Sequence, residues 1–225
     1  LDFSDVTVVI PAKDENAIFD VTKGVLESLE GCRVIVLYHG YGDRTLRFKN
    51  SRVKAYLAPK GMGRAIIMMQ KKGLVKTPML CFIDGDATYE PKNLRKMIRM
   101  VRGGYDMVLG NRLDWITPES MPRWIQLGNR TITLVANLLY DLKLQDSQSG
   151  LRAIRTSAFQ SLDLKEAEFG IATEMNIKMK LGGFRLGESR ADYYPRVGET
   201  KQMKMTGGIK HIFIELRFLF YRPRS

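Results

Sequence analysis

Apolar residues along the chain follow two rhythms. Val6-Thr7-Val8-Val9-Ile10, Arg33-Val34-Ile35-Val36-Leu37-Tyr38 and Met79-Leu80-Cys81-Phe82-Ile83 are short, nearly continuous apolar runs, the pattern of strands buried on both faces of a sheet. Between them, positions 17–29, 64–74 and 94–101 carry apolar residues at helical spacing, the last after Glu90-Pro91, a pair suited to opening a helix. Residues 105–109 read as a further strand. Strand and helix alternating over roughly the first 110 residues predict an α/β fold, a mostly parallel sheet flanked by helices, in which ligands bind at the carboxyl ends of the strands. The second half changes texture. A long helix is expected over 124–144, with Ile125, Ile132, Val135, Leu138 and Leu139 on it, then a short strand over 151–154 and a helix over 172–181. An edge strand over 184–189, a basic loop over 193–204 and an amphipathic helix over 208–221 complete the chain.

Composition narrows this picture. The 225 residues are 44% hydrophobic and 27% charged, enough for one sizeable core and one domain. No apolar run reaches the ~18 residues of a spanning helix, and the chain opens without a basic stretch and apolar signal core. The expected location is therefore the cytoplasmic side. Cys32 and Cys81 sit in or beside apolar strand-like segments and read as core residues, not a disulfide pair. The net charge is +12, and residues 178–225 hold eleven basic against four acidic side chains, so +7 of it lies there. Such asymmetry calls for an anionic partner: nucleic acid, a phosphate-rich ligand or an acidic membrane face. Nucleic acid is disfavoured, because the cations are not interleaved with aromatics in a repeated platform and no helix-turn-helix or zinc spacing occurs.

The chemistry concentrates at one strand end. Leu80-Cys81-Phe82-Ile83 runs straight into Asp84-Gly85-Asp86. For a lone Asp-Gly pair a solvated turn is the ordinary reading, but two aspartates separated by a residue without side-chain bulk can turn both carboxylates toward one hard divalent cation whose remaining ligands are phosphate oxygens. Gly61-Met62-Gly63-Arg64 opens a helix and could put main-chain amides near a phosphate, or be only a helix-entry turn.

Taken together, these segments resemble a known family. Val8-Val9-Ile10-Pro11-Ala12-Lys13-Asp14-Glu15-Asn16 looks like the opening strand of family 2 glycosyltransferases with the GT-A fold, and Ile83-Asp84-Gly85-Asp86 resembles their Asp-x-Asp motif. Gly110-Asn111-Arg112, Asp146-Ser147-Gln148-Ser149-Gly150-Leu151-Arg152 and Arg196-Val197-Gly198-Glu199-Thr200-Lys201 resemble, in order and spacing, the branch of dolichyl-phosphate mannose and glucose synthases. The resemblance implies a Rossmann-like GT-A domain with a nucleotide-sugar half over 1–112 and an acceptor half over 113–225. It implies an inverting, Mg²⁺- or Mn²⁺-dependent transfer of a hexose from a GDP- or UDP-sugar to a polyprenyl phosphate at the cytoplasmic membrane face, the chain being peripheral or anchored by segments outside it. A soluble transferase acting on a glycan or small hydroxyl is the alternative.

Carried over position by position, Asp86 becomes the direct metal ligand and Asp84 contacts metal, ribose or both. Pro11, Ala12, Asp14, Glu15, Gly61, Arg64 and Gly85 join the donor site, with Lys60 and Arg64 either contacting the donor or lying at the solvated surface. The family's aspartate pair after the second strand is replaced by Tyr38-His39-Gly40-Tyr41-Gly42-Asp43, so Asp43 is the carboxylate placed there and Tyr38 or His39 the candidate to stack on a base. Thr88 stands where that branch often has an amide that helps hold metal. On the acceptor side, a hydroxyl needs a general base, for which Asp146 and Glu174 are available, Glu174 equally serving to hold an arginine. A lipid phosphate is already an anion and needs cationic grip, which Arg112, Arg123, Arg130, Arg196 and Lys201 would supply. Ile209, Ile212, Phe213, Leu216, Leu219 and Phe220 on one side of the last helix, widened by Phe218 and Tyr221 and joined by Lys210, Arg217, Arg222 and Arg224, have the composition of an interfacial helix.

Overall fold

The computed structural model describes residues 2–40, 46–196 and 205–221. Its backbone is a seven-stranded sheet of order β3-β2-β1-β4-β6-β5-β7. The strands are β1 (Val6–Lys13), β2 (Arg33–His39), β3 (Val53–Leu57), β4 (Met79–Phe82), β5 (Met107–Asn111), β6 (Arg152–Arg155) and β7 (Leu186–Arg190). All run parallel except β6, which pairs antiparallel with both β4 and β5. That one reversal matters for the site. The carboxyl ends of the parallel strands share an edge of the sheet, and because β6 runs the other way, the segment entering it, residues 146–151, arrives at that same edge.

The expected apolar runs are the central strands because both their faces are covered. Val6, Val8 and Ile10 pack on one side with Ile18, Val21 and Val25 of α1 (Ile18–Ser28) and Leu94, Met97 and Ile98 of α3 (Leu94–Arg102). Val9, Leu80 and Phe82 pack on the other with helices α2 (Met62–Lys71), α4 (Arg123–Tyr140), α5 (Thr156–Gln160) and α6 (Ile171–Leu181). Strand β3 and helix α5 were not foreseen. The long helix ends at Tyr140, not at 144: Asp141 turns left-handed at φ 49°, and the Asn137 side chain bonds both the N–H and the C=O of Leu144, pulling Leu142 and Leu144 into the core.

The last helix, α7 (Met205–Arg217), followed by a 3₁₀ turn (Phe218–Phe220), packs on α4 and α6. Its described part has mixed polarity: Ile214 and the following Phe218 pack on the core, but two polar residues do so as well. His211 and Glu215 face inward and are buried, whereas Phe213 is 67% exposed and Leu216 is also exposed. Helix α4 does the same in part, burying Asn129 and Thr133 while exposing Trp124, Leu127, Leu134 and Leu138. Phe218 was expected to widen the outer apolar face; it is instead buried, with Tyr221 edge-on at 5.6 Å and Lys178 over its ring. Among the described residues no helix is long and apolar enough to cross a membrane.

Candidate active site

The Asp84-Gly85-Asp86 turn follows β4 at the center of the strand-end edge. Gly85 is there for space: a Cβ would press on Ile10, Ala12 and Ile18. The next residue, Ala87, sits at φ 59°, a left-handed conformation uncommon for a residue with a Cβ. Thr88 holds this turn in place. Its hydroxyl donates to Asp86 Oδ1 at 2.7 Å and its N–H reaches the same oxygen at 3.2 Å, so Thr88 orients Asp86 instead of offering its hydroxyl to a metal. Asp86 Oδ2 is turned to the other side, 3.0 Å from Arg196 Nη1. Asp84 packs beneath Gly150, where no side chain would fit. Burial raises its pKa to about 7, the neighbouring Asp86 charge adds to this, and Arg112 and Arg196 oppose it.

Segment 14–16 enters the site from the end of β1. Glu15 accepts from Arg196 Nη2 through both oxygens, at 2.7 and 2.6 Å. Burial works against the charge on Arg196, but Glu15 and Asp86 more than offset it and raise its pKa. Asp14, at φ 50°, lies against Gly40 at the end of β2. Pro11 and Ala12 are the last inward positions of β1, paired with Leu37 and Tyr38. Tyr38 is buried in the core and His39 is half-buried at the strand tip. Asp43 and Lys201 lie outside the described residues.

The acceptor-side cations differ in what they touch. Arg112, at the end of β5, is buried and forks onto Asp146, Nε at 2.6 Å and Nη2 at 2.9 Å, with its N–H also on Asp146 at 3.1 Å. Burial opposes its charge, yet Asp146 holds its pKa well above the ordinary value. The candidate base and the candidate phosphate ligand are thus one ion pair, with Nη1 left outside the fork. Arg130 is exposed and donates to Leu113 O at 2.7 Å, two links from Arg112, while Arg123 is exposed on the first turn of α4.

Two expectations are corrected. Glu174 does not hold an arginine: fully buried, it pairs with Lys178 at 2.8 Å and accepts the main-chain N–H groups of Lys165 and Glu166. The glycines at 61 and 63 serve packing, because a Cβ at either would strike the main chain of 166–167, and the free N–H of Arg64 is taken by Ala167 O at 3.0 Å. Arg64 itself pairs with Glu168 at 3.2 Å on the surface.

Several residues at the site receive no role from the sequence alone. Tyr89 donates or accepts at Ser149 Oγ (3.2 Å), accepts the N–H of Gly150 (2.9 Å) and stacks edge-on against Tyr193, whose ring lies under Arg112. Arg152 is buried with no ion pair among the described residues, donating to the carbonyls of Ser147, Ser149 and Ala172 and to Asn176 Oδ1, and burial lowers its pKa to about 10 against the opposing charges of Asp146 and Asp84. Glu188 of β7 accepts the N–H groups of Gln145 and Asp146. Only the tyrosine spacing after the Asp-x-Asp turn could have signalled Tyr89; Glu188 and two of the partners of Arg152, Ala172 and Asn176, lie 20 or more residues from the groups they bind.

The donor set fits a hard divalent ion. A cation already rests on Asp86 Oδ2 in the form of the Arg196 guanidinium, and a second carboxylate stands beside it. Among the described residues no cluster of three or more His, Cys, Asp or Glu converges, so the protein would supply two carboxylates at most and leave the remaining positions to phosphate and water, the habit of Mg²⁺ with nucleotides.

Comparison with known proteins identifies the family and the fold. The chain is 27% identical over 207 residues to a dolichyl-phosphate hexose transferase of Haloferax volcanii, covering 92% of this chain and 90% of that one. It is 27% identical over 213 residues to the low-salt glycan biosynthesis hexosyltransferase Agl6 and 29% over 164 residues to the glycosyltransferase AglJ, both of the same organism. These matches cover 92% and 72% of this chain, but it spans only 52% and 54% of those two relatives. In three dimensions it superposes with TM-score 0.70 and 17% identity on glucosyl-3-phosphoglycerate synthase of Mycobacterium tuberculosis in complex with Mn²⁺, UDP and phosphoglyceric acid, covering 98% of this chain and 80% of that one. The same enzyme with Mg²⁺ and UDP superposes with TM-score 0.67, at 16% identity and the same coverage. This likeness shows the GT-A fold. The sequence model described as glycosyl transferase family 2 matches residues 7–163, and the chain is a GT-A glycosyltransferase belonging to that family.

Proposed function

We propose that the protein transfers a hexose from a nucleotide-diphospho-sugar to a polyprenyl phosphate at the cytoplasmic face of a membrane, with inversion at the sugar carbon. Asp86, assisted by Asp84, would hold a Mg²⁺ or Mn²⁺ ion that neutralises the charge growing on the departing diphosphate. Pro11, Ala12, Asp14, Glu15 and Gly85 line the donor side of that turn. Thr88 keeps Asp86 aimed, and Tyr89 keeps the 149–150 loop against Asp84. The acceptor phosphate oxygen is already anionic, so it attacks without a general base; what it requires is a cation on each side of its path. Arg112, fixed by Asp146 through Nε and Nη2, and Arg196 supply those cations, with the exposed Arg130 and Arg123 further out. Lys201 belongs to the same set by motif. Glu174, spent on Lys178 and two main-chain amides, has no part in the transfer. Attack opposite the diphosphate in a single displacement inverts the configuration.

The observation that carries the lipid acceptor is the mixed polarity of α4 and α7. A helix pair in which α7 buries His211 and Glu215 while Phe213 and Leu216 of α7 and Leu127, Leu134 and Leu138 of α4 face solvent is suited to having that outer face covered. A bilayer surface covers it and also holds the acceptor. The inner face of the pair connects to the site by hydrogen bonds, His211 Nδ1 with Thr173 Oγ1 at 2.9 Å and Gln148 with Thr173 at 3.3 Å. The test is thermal stabilisation by a panel of nucleotide sugars with Mn²⁺, followed by sedimentation with anionic vesicles. Donor-dependent stabilisation and salt-sensitive vesicle binding support the reading; vesicle binding that is absent at low salt favours a soluble acceptor.

A further inference from the structure

Arg196 sits where a divalent ion is called for. Its Nη2 is clamped by both oxygens of Glu15, and its Nη1 is on Asp86 Oδ2. The other Asp86 oxygen belongs to Thr88. The one Asp86 oxygen that looks into the site is therefore already answered by a positive charge from the chain itself. A metal–oxygen bond of ~2.1 Å and a guanidinium at hydrogen-bond distance compete for the same front of that oxygen, and the two cations repel. A second feature marks the arrangement as provisional: Arg196 Nε is buried and has no hydrogen-bond partner among the described residues, so the seat leaves one donor of a five-donor side chain unanswered there.

We infer that Arg196 is an exchangeable internal cation, seated on Glu15 and Asp86 before the donor binds and displaced from Asp86 when a divalent ion arrives. The inference rests on the reading of Asp86 as a metal ligand. While Arg196 neutralises Asp86, it is withheld from the acceptor; once metal and diphosphate satisfy Asp86, the guanidinium is free to turn to a phosphate. The cationic grip on the acceptor is then completed last, and binding is ordered, donor before acceptor. Glu15 retains the side chain near the site during the exchange, through the two bonds that do not involve Asp86.

The experiment is Mn²⁺ binding without nucleotide, read from the paramagnetic resonance of the free ion, in the wild type, Arg196→Gln and Asp86→Asn. Exchange predicts that Arg196→Gln binds Mn²⁺ about tenfold more tightly or better, equivalent to ~1.4 kcal/mol, and that Asp86→Asn loses it. Removing any nearby positive charge favours the ion to some degree, so a second readout is needed. In the wild type, Mn²⁺ alone should speed the modification of Arg196 by phenylglyoxal, mapped by mass spectrometry, because the clamp on its Nη1 opens. Unchanged or weaker Mn²⁺ binding in Arg196→Gln, or an Arg196 modification rate indifferent to Mn²⁺, overturns the exchange while Asp86 stands as the ligand. Wild-type Mn²⁺ binding by Asp86→Asn overturns the metal site itself and the exchange with it.

Discussion

Glu215 is the least comfortable side chain of the pair of helices α4 and α7, and its replacement tests directly how α7 sits. The residue is 0% exposed, and neither carboxylate oxygen has a hydrogen-bond partner among the described residues. Nearby, His211 is turned to Thr173, and the Tyr140 hydroxyl donates to the main-chain carbonyl of Glu215, not to its carboxylate. Burial raises the Glu215 pKa from 4.5 to about 8. Between those values the folded protein keeps a proton that the unfolded chain has released. Stability therefore falls as pH rises through that window, the sign expected of a carboxyl whose folded pKa is raised. Near pH 7 the unfolded carboxyl lies about 2.5 pH units past its midpoint, and at about 1.4 kcal/mol per unit the burden on the fold is ~3 kcal/mol. Glu215→Leu removes this burden along with the two unpartnered oxygens. Urea denaturation should show the variant more stable than wild type by ~3 kcal/mol near pH 7, the gain shrinking to about 1 kcal/mol toward about pH 5. A gain that does not depend on pH, or a loss of stability near pH 7, would refute the burial of an unpartnered carboxyl under α7.

Other consequences are equally concrete. Asp86→Asn should abolish transfer while the chain still folds, since the isosteric amide leaves no cavity and keeps an oxygen for Thr88, at a cost of about 1–3 kcal/mol for the lost charge facing Arg196; circular dichroism and turnover measured together decide it. Arg152→Leu strips the donors from three carbonyls and Asn176, and should cost ~3 kcal/mol or more in denaturant titrations. Phe213→Glu combined with Leu216→Glu should abolish binding to anionic vesicles, with nucleotide-dependent thermal stabilisation retained; undiminished vesicle binding would remove α7 from the membrane surface.

What was readable in the sequence follows from the range of the forces involved. Val6–Ile10 and Met79–Phe82 announced themselves because a strand buried on both faces must be apolar throughout. The Asp84-Gly85-Asp86 turn was legible because its chemistry lies within three residues. Strand β3 was missed because its exposed edge relaxes the pattern, Val53 alone being buried. The end of α4 was misjudged because Leu142 and Leu144 continue the apolar rhythm while the chain turns back onto Asn137. Long-range pairings were the least visible. Arg112 and Asp146 were read as separate candidates for grip and base, and only the reversal of β6 brings them together. The glycines at 61 and 63 looked like a phosphate cradle, yet the segment that needs their space lies about 100 residues away, at 166–167. The inward turn of His211 and Glu215 could not be taken from the helix alone, because an amphipathic pattern does not say which face meets the domain.

The central claim is a metal-dependent transfer from a nucleotide-diphospho-sugar onto a lipid phosphate. The measurement that tests it most directly incubates the protein with radiolabelled nucleotide sugars, Mn²⁺ and vesicles containing polyprenyl phosphate, and follows the label into the organic phase. The account predicts label recovered there as a sugar–phosphate–lipid of inverted anomeric configuration, lost in excess chelator and in Asp86→Asn. Label that enters the organic phase undiminished in chelator, or that passes only to a water-soluble hydroxyl acceptor, would contradict it.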